Sequence, residues 1–535
     1  MGQALLWIEL LAASCLMVAV ATIAAARSRR PSLRNLITII EIIGPLACWV
    51  GATGIAWPYS RERIGPVARS TFLAMLTVVF ALAAIAILQR GMKDRRAAGW
   101  SGWKLNLVFG AICILSLMTF WNLDLNARNR LGRLRARAGS IIAATFPSGT
   151  PDSQNAARVY EQAFRSLGMK TDSKIIDWAL PVCQWLGSDQ EKQSTTRPSD
   201  AKIREILQAN SLGLKQLRRA AAMEQCSFVG YWDSTDLVGV LLPQVSSMRT
   251  SAELLAADAR MRATDGDMKG AIADVNAIFA MSEHITREPT MLTALVAIAV
   301  ESRGVDTLEI VLAKCDSTAS EPLSLRIDPL FSHGRMVSSA LRGEEALGLS
   351  LLASWGDSEY HKIPKRYVPQ VMIPLRRVFL MEDDIRGYNI AVREWQRLAA
   401  MPYHKSREQW NNLQQRLMEH RMGMLTASVL PAVSAYPARA AQGDALHNLA
   451  RLAAAATAYR IKTGALPESL DKLTPEFIET IPSDPFDGKP VRIAHNSDGG
   501  AILYSVGPDL KDDGGKAFVK DKGTGDIVFR LARTK

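Results

Sequence analysis

Pro482-Ser483-Asp484-Pro485-Phe486-Asp487-Gly488-Lys489-Pro490 separates a long helix-like segment from a set of short strand-like ones. Upstream, Leu446, Leu449, Leu452, Ala453, Ala456 and Tyr459 recur at helical spacing and form one apolar stripe. Small side chains at 453–456 let that helix lie close on a sheet, and Thr463-Gly464 stops it. Pro467 and Pro475 each stand near the start of a short turn, the second after Thr474. Downstream, 491–494, 501–505 and 526–531 read as strands, and Asn496-Ser497-Asp498-Gly499-Gly500 turns the chain between the first two. One long helix against a small antiparallel sheet makes residues 441–535 an α+β module.

The order of these pieces carries a resemblance. Tyr459, Thr463-Gly464, Leu466-Pro467, the Asp484–Pro490 run, Tyr504-Ser505-Val506-Gly507-Pro508-Asp509, Gly514-Gly515 and Asp526-Ile527 follow one another. So arranged, they resemble the globular domain of the major pseudopilin of type II secretion systems, over roughly the last ninety residues. Pseudopilins run a single hydrophobic helix directly into this domain, whereas the helix before it here is amphipathic. The resemblance therefore implies a globular head and not a fibre subunit. It also implies a calcium site in the loop after Tyr504-Ser505, with Asp509, Asp512 and Asp513 as ligands and Asp526 closing the shell. Calcium takes about six to eight oxygens on a flexible loop. Lys511 and Lys516 offset the carboxylates, and a solvated acidic turn is the alternative reading. The overall layout is similar to that of membrane proteins from planctomycete-type bacteria.

Between 126 and 440 the pattern is of amphipathic helices, at 156–167, 201–224, 251–264, 268–286 and 290–313 among others. Gly266-Asp267-Met268-Lys269-Gly270-Ala271-Ile272 resembles the turn of a tetratricopeptide hairpin, where glycine permits the turn and a small residue lets two helices approach. A regular 34-residue period is absent. A divergent helical-hairpin array is expected, a form that binds partners along one face.

Residues 1–125 hold four apolar runs, at about 4–26, 36–57, 71–88 and 105–121, with Trp49, Trp57, Trp100, Trp103 and Trp121 near their ends. They predict a four-helix transmembrane anchor. Residues 1–137 hold 17 Lys or Arg against 5 acids, the whole of the +12 net charge. That location favours lipid headgroups over nucleic acid. Basic loops one and three predict that residues 126–535 lie outside the cytoplasm of a bacterial inner-membrane protein. Glu9 and Glu41 fall inside the first two runs, and Glu41 is a candidate proton or ion group against a packing role.

The six cysteines form no C-x-x-C or Cys/His cluster and read as core thiols. No H-E-x-x-H, G-x-S-x-G, P-loop or G-x-G-x-x-G motif occurs. His333, His361, His404 and His420 lack metal-ligand spacing and read as surface or cap residues. The expected whole is a multi-domain chain: transmembrane region 1–125, all-α domain 126–440, pseudopilin-like module 441–535. The expected role is non-enzymatic: an interaction or scaffold protein of the envelope, linked to type II secretion-like machinery, with bilayer lipid and envelope or secretion proteins as partners. Two alternatives stand beside it. One is an enzyme using Glu344, Glu345, Asp357, Asp383 or Asp384; the other is a membrane sensor or transporter using Glu41.

Overall fold

The computed structural model describes residues 102–146, 150–169, 177–187, 197–228, 243–315, 325–328, 331–355, 381–418, 436–497, 499–519 and 523–532. The helices in chain order are α1 (Gly102–Thr145), α2 (Ala156–Ser166), α3 (Ala179–Leu186), α4 (Asp200–Ala209) and α5 (Ser211–Ala221). They continue with α6 (Pro243–Thr264), α7 (Met268–Thr286), α8 (Met291–Ala313), α9 (His333–Trp355) and α10 (Met381–Ala399). α11 (Tyr403–Asn411), α12 (Leu413–Met418) and α13 (Tyr436–Thr463) precede the strands β1 (Arg492–His495), β2 (Ala501–Ser505) and β3 (Ile527–Leu531).

Among the described residues no helix is long and apolar enough to cross a membrane. This corrects the expected four-helix transmembrane anchor, and with it the expected multi-pass placement in a bacterial inner membrane. The runs at 4–26, 36–57 and 71–88, with Glu9 and Glu41, lie outside the described residues. The run at 105–121 falls in α1, which does not stop where the run ends. It continues through Asn122, Asp124, Asn126 and the basic stretch Arg128 to Arg137, as far as Thr145. The apolar stretch is shorter than the ~20 residues a span needs, and the same helix carries it into charged turns.

The chain divides into two compact units, Met1–Arg133 with Leu352–Tyr388 and Met418–Ala427, and Leu134–Leu351 with Asn389–Leu417 and Ser428–Lys535. In the first, the Arg128 Nε–H donates to the buried Asp124 carboxylate one turn back, at 2.8 Å. Met118, Trp121 and Leu125 of α1 are exposed.

The second unit is built on α6, α7 and α8, each of which packs on the other two. Gly266, at φ +84°, reverses the chain between α6 and α7, a conformation that an L side chain resists. Asp267 then caps α7 by accepting the Gly270 N–H. Ala259, Ala263 and Ala271 bring α6 and α7 close, and Thr290 with Thr293 forms a reciprocal cap at the start of α8.

β1, β2 and β3 form one antiparallel sheet with β2 central, pairing Ile493 with Leu503 and Leu503 with Phe529. Leu503 and Phe529 are buried on the face that meets α13. α8 packs on both α13 and β3, so Leu308, Leu449, Leu452, Leu503 and Phe529 belong to one core. Each such side chain stabilises the fold by about 1.5–3 kcal/mol through burial. The helical array and the C-terminal module are therefore continuous through α13.

Candidate functional site

Of the four expected calcium ligands, Asp509, Asp512 and Asp526 already have their carboxylate oxygens engaged, and Asp513 enters through its backbone N–H. Asp526 is buried, and its carboxylate accepts the Gly515 N–H at 2.7 Å and the Asp513 N–H at 3.4 Å. Asp509 accepts the N–H groups of Lys511 and Gly525, at 3.2 and 3.1 Å. Asp512 accepts the Gly514 N–H at 3.1 Å and pairs with Arg492 Nε at 3.1 Å. As arranged, these carboxylates fold the loop around its own N–H groups and do not converge on a common centre. Among the described residues no group of three or more His, Cys, Asp or Glu side chains is placed to hold a metal ion.

The Asp484–Pro490 run has a comparable keystone. Asp484 is fully buried and accepts the Phe486 N–H, the Ser505 hydroxyl and the Val506 N–H, each at 2.9 Å. Arg492 adds a longer contact to Asp484 at 3.4 Å and a short one to Asp487 at 2.5 Å. Phe486, so positioned, meets Tyr403 edge-on at 5.7 Å, and the His404 ring lies against Gly488. The motif docks the module onto α11.

A buried convergence of carboxylates and histidines lies where α8, α9 and α13 meet. Glu301 of α8 falls on the apolar face formed by Ala297, Ile298, Gly304, Val305 and Leu308, and is buried. Its Oε2 lies 2.9 Å from His333 Nε2, an ion-pair contact whose angle falls short of a hydrogen bond. Its Oε1 lies 2.6 Å from His447 Nδ1. His447 Nε2 faces the Asp328 carbonyl at 2.9 Å, and His333 Nδ1 faces Asp444 at 3.2 Å. Asp444 also accepts the N–H groups of His333 and Gly334, at 2.7 and 3.2 Å, and so caps α9 from α13. Phe331 covers both rings, edge-on to His333 at 5.0 Å and tilted to His447 at 5.5 Å. Gly443 permits this approach, since a Cβ there would meet the His333 ring at 2.8 Å.

Burial disfavours charge here, but the partners overcome it. Burial pulls His333 down, yet the Glu301 charge, the bond to Asp444 and the close Glu301 contact raise it to about 9. Burial likewise pushes Glu301 up, yet the His333 charge and the close contacts of both rings lower it to about 2. His333 is a helix-start residue, as its sequence position suggests, but it is not at the surface: it is fully buried. His447 and Glu301 were not singled out by the sequence reading. The available signal was an ionisable residue on an otherwise apolar helix face, which describes both.

Of the acids expected for an enzyme, Glu344 accepts the Met291 N–H at 2.9 Å and burial raises its pKa. Glu345 is buried, paired with Arg137 and bonded by Gln396 at 2.6 Å. Asp384 is buried, while Asp357, His361, His420 and the Asp383 side chain lie outside the described set. Glu344 and Glu345 each join neighbouring helices. No protein-family model, curated protein or solved structure matches this chain.

Proposed function

We propose that this chain is a non-enzymatic interaction scaffold, a helical array that recognises a protein partner and is closed at one end by its C-terminal module. The observation that carries the reading is the state of this buried carboxylate and histidine cluster. Glu301, His333 and His447 are buried, and their polar atoms face one another or neighbouring oxygens instead of an open cleft. A reactive group must reach a substrate within hydrogen-bond distance. These groups instead join helices.

The continuity of the core supports the same assignment for the last hundred residues. Repeat arrays need a terminal element that covers the exposed apolar face of the last helix pair. α13 and the sheet do this for α7 and α8, with Leu470, Leu473, Leu503 and Phe529 in the shared core. On this reading the pseudopilin-like module is a cap. At the start of α8, Leu292 and Leu295 are exposed one turn apart, on the outward face of the array.

The test places a photo-crosslinking side chain at position 292 of the full chain in its native cell. Capture of one defined protein, lost in the Leu292→Asp, Leu295→Asp double variant with an unchanged melting temperature, supports the scaffold. Capture that ignores both changes, together with a turnover activity abolished by Glu301→Gln, would replace it with an enzyme.

A further inference from the structure

We propose that the Glu301, His333, Asp444 and His447 cluster is a proton-dependent latch, which holds α13 and the sheet behind it onto α8 and α9. The inference rests on the geometry of the cluster and not on the scaffold reading. All four ring nitrogens of the two histidines face oxygens: Glu301 twice, Asp444 once and the Asp328 carbonyl once. Carboxylate and carbonyl oxygens only accept, and a neutral imidazole has one nitrogen that cannot donate. The arrangement is complete only when each ring nitrogen carries a proton. Loss of a proton turns an attractive contact into a lone pair facing an oxygen, at rings that are buried and out of reach of bulk water.

The four members come from three elements, so the contact is between helices and not within one. Glu301 is on α8, His333 opens α9, and His447 and Asp444 are one turn apart on α13. Other charged groups face the cluster. Glu283 of α7 feels Glu301, Asp328, His447 and Arg287, and Arg451 of α13 feels Asp328.

The sign follows from linkage. A histidine raised from 6.5 to about 9 in the closed form contributes stability that is fully present below 6.5. That stability is lost as pH rises through about 9. Across that window the opening constant of α13 rises by a factor of roughly 300, about tenfold per pH unit. On the acid side Glu301, lowered from 4.5 to about 2, contributes stability above 4.5 that is lost as pH falls through about 2. The latch is fully closed between these limits, from about 4.5 to 6.5.

Two measurements on the full chain test it. Selective nitrogen-15 labelling of the seven histidines reads ring protonation directly by NMR. Amide exchange, corrected for its intrinsic pH dependence, compares α13 with α7 between pH 6 and 10. A buried ring doubly protonated up to about pH 9, absent from His333→Gln, is expected from the latch. So is a loss of α13 protection of roughly 300-fold, with α7 held constant. Seven rings that all titrate near pH 6.5, or parallel loss of protection in α13 and α7, would overturn it. Should His333→Gln fail to fold, the two wild-type measurements decide the matter alone.

Discussion

Asp484→Asn removes one charge and changes almost no volume, which isolates the electrostatic role of the Asp484–Pro490 run. The carboxylate holds three donors from two segments: Phe486 N–H and Ser505 O–H on Oδ1, and Val506 N–H on Oδ2. An amide offers one acceptor oxygen. If its NH2 replaces Oδ2 it faces the Val506 N–H and Arg492; if it replaces Oδ1 it faces the Phe486 N–H. Either orientation breaks a bond to a charged acceptor, worth about 1.5–3 kcal/mol, and leaves a buried N–H without a partner. The two contributions overlap, so the expected loss is about 3 kcal/mol, and for Asp484→Ala about 4 kcal/mol once the cavity is included. The control is Asp487→Asn. Asp487 lies nearer the surface and shares Arg492 with Asp484 and Asp512, so its change costs about 1 kcal/mol or less. The assay is the opening free energy of the β2 amides by hydrogen exchange in the full chain. The tryptophans all precede α13, so their fluorescence does not report this module directly. Equal, small effects of Asp484→Asn and Asp487→Asn would refute the reasoning.

Three further outcomes are expected. Arg460 of α13 is buried and donates to the Ala532, Leu312 and Cys315 carbonyls, at 2.7, 3.4 and 3.2 Å, tying the end of α8 to the end of β3. Arg460→Ala leaves these acceptors orphaned and costs about 3–5 kcal/mol, while Arg460→Lys, a point charge without the fork, recovers less than half, as chemical denaturation will show. Gly343→Ala in α9 drives a Cβ into the Pro289 carbonyl oxygen, a backbone atom that cannot swing away. Its expected result is a loss of about 2–3 kcal/mol, measured by thermal melting, in contrast to the stabilisation that Gly→Ala gives in an open helix. Millimolar calcium leaves the melting temperature unchanged, because Asp509, Asp512 and Asp526 already hold loop N–H groups and Arg492. A calcium-dependent rise abolished by Asp512→Ala would show that the loop rearranges around the ion.

Much of the local structure was legible because it depends on neighbours along the chain. The Gly266 turn, the α13 stripe from Leu446 to Tyr459 and the positions of the three strands all follow from spacing within a few residues. The stop at Gly464, with φ +85°, is of the same kind. The membrane expectation failed at the one run that can be followed. Apolar length says that a segment avoids water, while the polar continuation of α1 past Trp121 decides what sort of helix carries it. For the acidic loop, residue spacing could not say which way the carboxylate oxygens point. They point at Gly515, Gly525 and Gly514 N–H groups.

By itself, then, the sequence determined the hairpin turn at Gly266, the helix stop at Gly464, the three strands and the face of α13 that is buried, since each follows from side-chain period and backbone freedom over short distances. The break at Asn210 inside the expected 201–224 helix and the start of α6 at Pro243 were not legible. Only the tertiary structure decided the partners of Glu301, His333, His447 and Arg460. Glu301 and His447 are 146 residues apart, and Arg460 reaches carbonyls 72 and 148 residues away. Such contacts form only after α8, α9 and α13 have packed. The low-dielectric interior that packing creates is what makes a buried carboxylate and two imidazoles bind one another so firmly.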